Sequence, residues 1–216
     1  MKHTLSCLLA ALVLLCGSVR PSQADVTARN VYQIASISTV LIKGTNKGGW
    51  CKGTGFVYQT LDGFVIVTAK HVVEDQKLSY TVTTFSGQLL RVASIKFSPV
   101  SDLALVTVYG PMYKVSGLKI ATYDADIGDT VYSVGYPEMH TNLVLGVGFI
   151  TQYCDTLVPG SHLMGCCQIN HGNSGGPLLN DRAEVIGVTD CSETDAGNLC
   201  YGLPVSMIRA LLTLPP

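Results

Sequence analysis

The chain has 216 residues, with 14 Lys and Arg against 15 Asp and Glu and a formal net charge of −1. Charged residues are 13% of the chain, where typical domains carry roughly 25%. No basic stripe marks a nucleic-acid surface, and 22 glycines with many β-branched residues read as a compact β-rich protein.

Lys2 and His3 precede an apolar run over residues 5–15, and Ser22-Gln23-Ala24 offers small residues before a cut. This is the pattern of a secretory signal peptide, residues 1–24, removed between Ala24 and Asp25. A transmembrane anchor is the competing reading, but a span takes about 20 apolar residues. Leu14-Leu15-Cys16-Gly17 hints at a lipid-modified cysteine, against which bulky Leu15 argues. Removal takes Lys2 and Arg20 away, which moves the charge from −1 to −3. The remainder, residues 25–216, suffices for one domain with a large core or two small lobes. The expected destination is the periplasm or the outside, with no membrane contact after removal.

Residues 31–42 hold apolar side chains at uneven spacing, as in a short helix running into a strand. Strands are expected at 54–58, 64–68, 79–85, 89–97 and 103–109, each rich in β-branched or aromatic residues. A second series covers 130–135, 144–151, 163–169, 178–179, 185–189 and 201–204. Residues 205–214 can form a closing helix with Val205, Ile208, Leu211 and Leu212 on one face. About six strands thus precede residue 115 and about six follow residue 128, with residues 114–128 as the link.

Cys7 and Cys16 lie in the signal, which leaves Cys51, Cys154, Cys166, Cys167, Cys191 and Cys200. Six cysteines in an exported protein are expected to form three disulfides. Zinc is the rival, but adjacent Cys166-Cys167 lacks the usual ligand gap and no His-x-x-x-His pair follows. The expected bridges are Cys191 to Cys200, Cys154 to Cys166 or Cys167, and Cys51 to the cysteine left over.

The chemistry concentrates in Gly172-Asn173-Ser174-Gly175-Gly176-Pro177. A serine hydroxyl is a poor nucleophile without a base in reach and a group to orient that base. His71 follows an apolar strand, and Asp102 stands at the start of another, so both occupy rims where such groups are held. Glycines at 172, 175 and 176 let the backbone bend and approach a substrate without a Cβ in the way. The plain alternatives are a glycine-rich turn, a surface histidine and a strand-end aspartate. His171 is a rival base on the serine's own loop. His140, His162, Asp62 and Asp75 have only loop-like or turn-like surroundings.

Five stretches carry a resemblance. They are Gly53-Thr54-Gly55-Phe56-Val57, Val67-Thr68-Ala69-Lys70-His71-Val72-Val73, Asp102-Leu103-Ala104-Leu105-Val106, Val134-Gly135-Tyr136-Pro137 and residues 169–177. In this order they resemble the trypsin-like serine proteases, most closely the HtrA/Deg branch, across residues 31–212. The resemblance implies an all-β fold of two six-stranded antiparallel β-barrels of chymotrypsin type with a short C-terminal helix. Barrel one would span about 31–113, barrel two about 129–204, and the helix about 205–214. It implies peptide-bond hydrolysis with Ser174 as nucleophile, His71 as base, Asp102 orienting the base, and the Gly172 and Ser174 N–H groups as oxyanion hole.

Asn173 stands where zymogen-activated relatives carry an aspartate that pairs with a new N-terminus, so that switch is not expected. The substrate pocket would include Gln168, Thr189, Asp190, Cys191 and Ser192, near Cys200. Neutral Gln168 argues for a small or medium apolar side chain before the cut, with Asp190 taken as a solvated turn residue. The chain ends at Pro216 soon after the closing helix, so a peptide-binding PDZ domain is not expected, and trimer formation does not carry over. No feature demands a metal or organic cofactor. The partner is a protein or peptide substrate. The rival functions are an inactive binding protein on the same fold and an esterase using the same residues.

Overall fold

The computed structural model describes residues 23–137, 141–154, 162–165, 170–192 and 200–214. Helix α1 (Gln23–Ser36) opens it. Six strands follow: β1 (Thr39–Thr45), β2 (Trp50–Thr60), β3 (Gly63–Ala69), β4 (Ser79–Thr83), β5 (Leu89–Phe97) and β6 (Leu103–Val108). They close into a barrel in the order β1-β2-β3-β6-β5-β4. The second six are β7 (Thr130–Gly135), β8 (Val144–Cys154), β9 (His162–Gly165), β10 (Pro177–Leu179), β11 (Val185–Ser192) and β12 (Cys200–Pro204). These close in the order β10-β11-β12-β9-β8-β7, and helix α2 (Val205–Leu212) follows. Every ladder between these strands is antiparallel, as the sequence leads one to expect.

The strands read as continuous apolar runs because several are buried on both faces. Side chains alternate along a strand, so neighbours enter different cores. Val57, Ile66, Ala104 and Val106 fill the first barrel, with Val40, Ile42 and Val82. Their neighbours Phe56, Val67 and Leu103 point the other way, into a core between the barrels. The second barrel repeats the division. Val131, Leu178 and Ile186 face its interior, while Tyr132, Leu179 and Val185 join the shared core. Fully burying a side chain of this size contributes about 1.5–3 kcal/mol. The shared core is therefore a principal reason that the barrels hold one arrangement.

Both helices seal that shared core. Val31 and Ala35 of α1 and Val205, Ile208 and Leu211 of α2 are buried in it. Their i, i+3, i+4 spacing puts each set on one face. α1 begins eight residues before the expected helix, because Ala28 already packs against the same core. It ends at Ser36, and the Thr39 hydroxyl then donates to the Ala35 carbonyl at 2.8 Å. The link between barrels is tied to both. Leu118 N–H donates to Val57 O, and Ala121 N–H donates to Val185 O, each at 2.9 Å.

Cys51 departs from expectation. It carries a free thiol, whose Sγ–H donates to the Val72 carbonyl at 3.5 Å. Burial pushes this thiol's pKa up, so it stays protonated near neutral pH. A Cβ on Gly44 would lie 2.7 Å from its sulfur, so strand β1 closes one side of the thiol. The side chains of Cys154, Cys166, Cys167, Cys191 and Cys200 lie outside the described residues, and so do the bridges expected of them. The backbone register sets Cys191 opposite Tyr201 and Cys200 opposite Ser192.

Candidate active site

Register explains how His71 meets Asp102 across 31 residues. β3 pairs with β6 so that Ala69 stands opposite Leu103. One step further, Lys70 N–H donates to the Asp102 carbonyl at 3.0 Å. A single 3-10 turn (Lys70–Val72) then carries His71 back over the strand end. Asp102 grips it twice: the His71 backbone N–H donates to Oδ1 at 3.0 Å, and Nδ1 stands 2.5 Å from Oδ2. A carboxylate oxygen only accepts, so the proton lies on Nδ1 and Nε2 keeps a free lone pair. The aspartate thus fixes both the position and the tautomer of the ring.

His71 titrates above its ordinary 6.5. Burial is the largest influence and pulls the pKa down. The hydrogen bond to Asp102, with the negative charges of Asp102, Asp190 and Glu74, outweighs it. An imidazole accepts a proton only when neutral, so raising the pKa moves the loss of that capacity in acid toward neutral pH.

Ser174 sits on the loop between β9 and β10, which both barrels clamp. From the first barrel, Thr54 N–H donates to Ser174 O at 2.9 Å, and the Thr54 hydroxyl donates to Gly172 O at 2.7 Å. From the second, Gly175 N–H donates to Thr189 O at 2.7 Å and Thr189 N–H donates to Gly176 O at 2.8 Å. Gly172 and Gly175 have φ of +93° and +84°, the left-handed region in which a Cβ is penalised. Asn173 is buried against Gly135, where a Cβ would lie 2.6 Å from Asn173 Oδ1. That oxygen has no hydrogen-bond partner among the described residues.

The Thr54 hydroxyl is a tether that sequence reasoning missed. Fully buried, it donates to Gly172 O and accepts from Tyr136 N–H at 2.9 Å. Thr54→Val is isosteric and strands both backbone groups, so it is expected to cost about 2–4 kcal/mol. Urea unfolding measures this, and a loss below about 0.5 kcal/mol would show that the tether is not holding the loop.

Ser174 and His71 line one cleft of about 280 Å³, with Trp50, Cys51, Lys52, Val72, His171 and Gly172. The Ser174 hydroxyl donates to the Asp190 carbonyl at 2.9 Å, and no hydrogen bond joins it to His71. Ser174 therefore rests beside the His71 ring rather than bonded to it. Among the described residues, the Gly172 and Ser174 N–H groups donate to no backbone carbonyl. That leaves two donors on the loop, as charge developing on a bound carbonyl would need. Of the rival histidines, His171 is exposed and lines the same cleft. The His140 and His162 side chains lie outside the described residues. Asp62 is exposed in the β2–β3 turn, and Asp75 accepts from Lys77 N–H in a turn of its own.

Of the expected pocket, Thr189 is buried in β11, and its hydroxyl has no partner among the described residues. Gln168 and the side chains of Cys191 and Ser192 lie outside the described residues. Asp190 is a correction. It is not a solvated turn residue: β11 runs on through Ser192, and Asp190 is only 7% exposed.

The chain resembles known proteins in sequence and in fold. Residues 53–188 match the model of the trypsin-like peptidase domain. The chain belongs to that family. Its relatives include the putative serine protease HhoA of Synechocystis, 30% identical over 173 residues, covering 74% of this chain and 42% of that one. The periplasmic serine endoprotease DegP of Escherichia coli is 28% identical over 183 residues, covering 78% and 38%. The chain thus spans less than half the length of these relatives. Among solved structures, the active form of the Rv3671c protease from M. tuberculosis superposes with a TM-score of 0.76. It is 22% identical, with 92% of this chain and 91% of that one covered. The serine endoprotease from Yersinia pestis gives 0.75 at 20% identity, covering 89% and 66%. These two likenesses are of fold alone.

Proposed function

We propose that this chain is an exported serine endopeptidase that cuts peptide bonds through an acyl-enzyme on Ser174. The observation that carries the reading is the double grip of Asp102 on His71 beside a serine in the same cleft. Turnover begins when the Ser174 hydroxyl leaves the Asp190 carbonyl and donates to His71 Nε2. As Ser174 Oγ attacks the substrate carbonyl, Nε2 takes its proton and the imidazolium is held against Asp102. The Gly172 and Ser174 N–H groups receive the oxyanion. His71 then protonates the leaving amine, and water releases the acyl group by the same route.

The substrate is a protein or peptide, cut after a small or medium apolar side chain. Neutral Gln168 supports that preference, and so does the turn of the Asp190 carboxylate toward His71. Export rests on the signal pattern of residues 1–24 and fits the periplasmic relatives by analogy. Among the described residues, no helix is long and apolar enough to cross a membrane.

A fluorophosphonate probe tests the reading. Wild type is expected to be labelled at Ser174, located by peptide mass spectrometry, and Ser174→Ala is expected to stay unlabelled. A folded wild type that takes no label would favour a binding protein on this fold.

A further inference from the structure

We propose that Asp190 is a positioning residue of this site: a second carboxylate set against the His71 imidazole, whose backbone carbonyl also holds the Ser174 hydroxyl at rest. The assignment rests on the protease reading and deepens it.

The backbone is the first support. Along β11 the ladder passes from Thr189 opposite Gly202 to Cys191 opposite Tyr201. Asp190 is therefore the extra residue of a β-bulge. A bulge re-aims a side chain and is frequent beside active sites. Here it turns the chain so that Asp190 reaches two members of the set. Its carbonyl accepts from Ser174 Oγ at 2.9 Å, and its Oδ1 stands 3.8 Å from His71 Nδ1.

Burial is the second support. The Asp190 side chain is 10% exposed, and a carboxylate so far from water needs nearby positive charge or hydrogen bonds. The imidazolium formed in turnover supplies positive charge on this side. At 3.8 Å the contact exceeds a hydrogen bond, so Asp190 does not displace Asp102 from the Nδ1 proton. It acts by charge. Among the described residues, the negative groups that act on His71 are Asp102 at the start of β6, Asp190 in β11 and Glu74 after the 3-10 turn, while Lys52, Cys51 and His171 line the same cleft.

Two consequences follow from the shared residue. A second negative charge stabilises the imidazolium in turnover and also favours protonated His71 in the resting enzyme. The enzyme therefore stops working at a higher pH than Asp102 and Glu74 alone would set. The carbonyl meanwhile parks the serine, so chain movement at the bulge would reach both nucleophile and base.

The test is Asp190→Asn, which keeps shape and removes charge. The acid limb of kcat/KM is expected to move down by roughly one pH unit, the scale for losing one opposite charge at this range. The same midpoint is read without turnover by NMR titration of the His71 ring in a Ser174→Ala background, where it is expected to fall equally. A His71 midpoint unchanged by Asp190→Asn overturns the proposal, even if the plateau rate drops, because a merely structural role moves only the plateau. If the Asn variant does not fold, Asp190→Ser carries the same test with the same two outcomes. Wild type without turnover would overturn the protease reading, and the NMR midpoints would still decide Asp190.

Discussion

Asp102→Asn is expected to give a folded protein that turns over peptide about ten-thousand-fold more slowly than wild type at mildly alkaline pH, the size this exchange has in a Ser-His-Asp set. The reason lies in the two contacts of Asp102. Its Oδ1 accepts the His71 backbone N–H at 3.0 Å, and the asparagine oxygen can take over that role. The amide NH₂ then faces Nδ1, 2.5 Å from the oxygen it replaces. Two donors cannot share that space, so Nδ1 becomes the acceptor and the proton moves to Nε2. Nε2 then has no lone pair with which to accept the Ser174 proton. Asp190 does not rescue it, since its Oδ1 is 3.8 Å from Nδ1. Stability is expected to change little, because the backbone ladder through Lys70 N–H and Asp102 O is untouched. Turnover and urea unfolding of the purified variant check both halves. A variant within tenfold of wild type would show that Asp102 does not set the tautomer.

The same contacts show what the sequence could and could not reveal. Asp102 and His71 were legible because each sits at the end of an apolar strand, and strand ends are where a barrel presents side chains. Their meeting is a matter of register, Ala69 against Leu103, which no local pattern states. The strands were legible from β-branched runs. That those runs serve two cores at once follows from closure of both barrels, seen in Phe56 and Val57 parting to opposite sides. Asp190 was misread for a physical reason. A charge next to Cys191, before a polar stretch, has the local signature of a turn. The bulge and the cross-barrel neighbour His71, which no local pattern shows, place it inside instead. Thr54 was hidden in the same way, since a threonine in a strand gives no sign that its hydroxyl ties two distant backbone groups. Pairing Cys51 by elimination failed because its partners there are Val72 O and the β1 backbone, not a second sulfur.

Gly175→Ala is expected to be among the most damaging single-methyl changes in the chain, and Gly87→Ala separates its causes. The two glycines share nearly the same φ, +84° and +86°. An alanine at either position bears the same left-handed strain, about 1–2 kcal/mol. Around Gly87 a Cβ meets nothing within 4 Å, so strain is the whole cost there. At Gly175 the Cβ collides with Thr68 Oγ1 and Thr54 O, and it lies 2.8 Å from Ala69 N. Two of these three atoms are backbone, and the third is pinned because the Thr68 hydroxyl donates to Thr54 O at 2.7 Å. None can step aside without opening β2 from β3, so the loop must move instead. That breaks the Gly175 N–H bond to Thr189 O and displaces Ser174 from the rim on which His71 is held. Gly175→Ala is expected to lose about 3–5 kcal/mol, strain and overpacking together, against about 1–2 for Gly87→Ala. Fluorophosphonate labelling of Ser174 is expected to fall at least about a hundredfold, since misplacement by about 1 Å has that cost. Gly87→Ala is expected to label at the wild-type rate. Equal stabilities for the two variants, with undiminished labelling of Gly175→Ala, would show that the loop is not wedged between the barrels. The glycine after the serine would then serve chain flexibility alone.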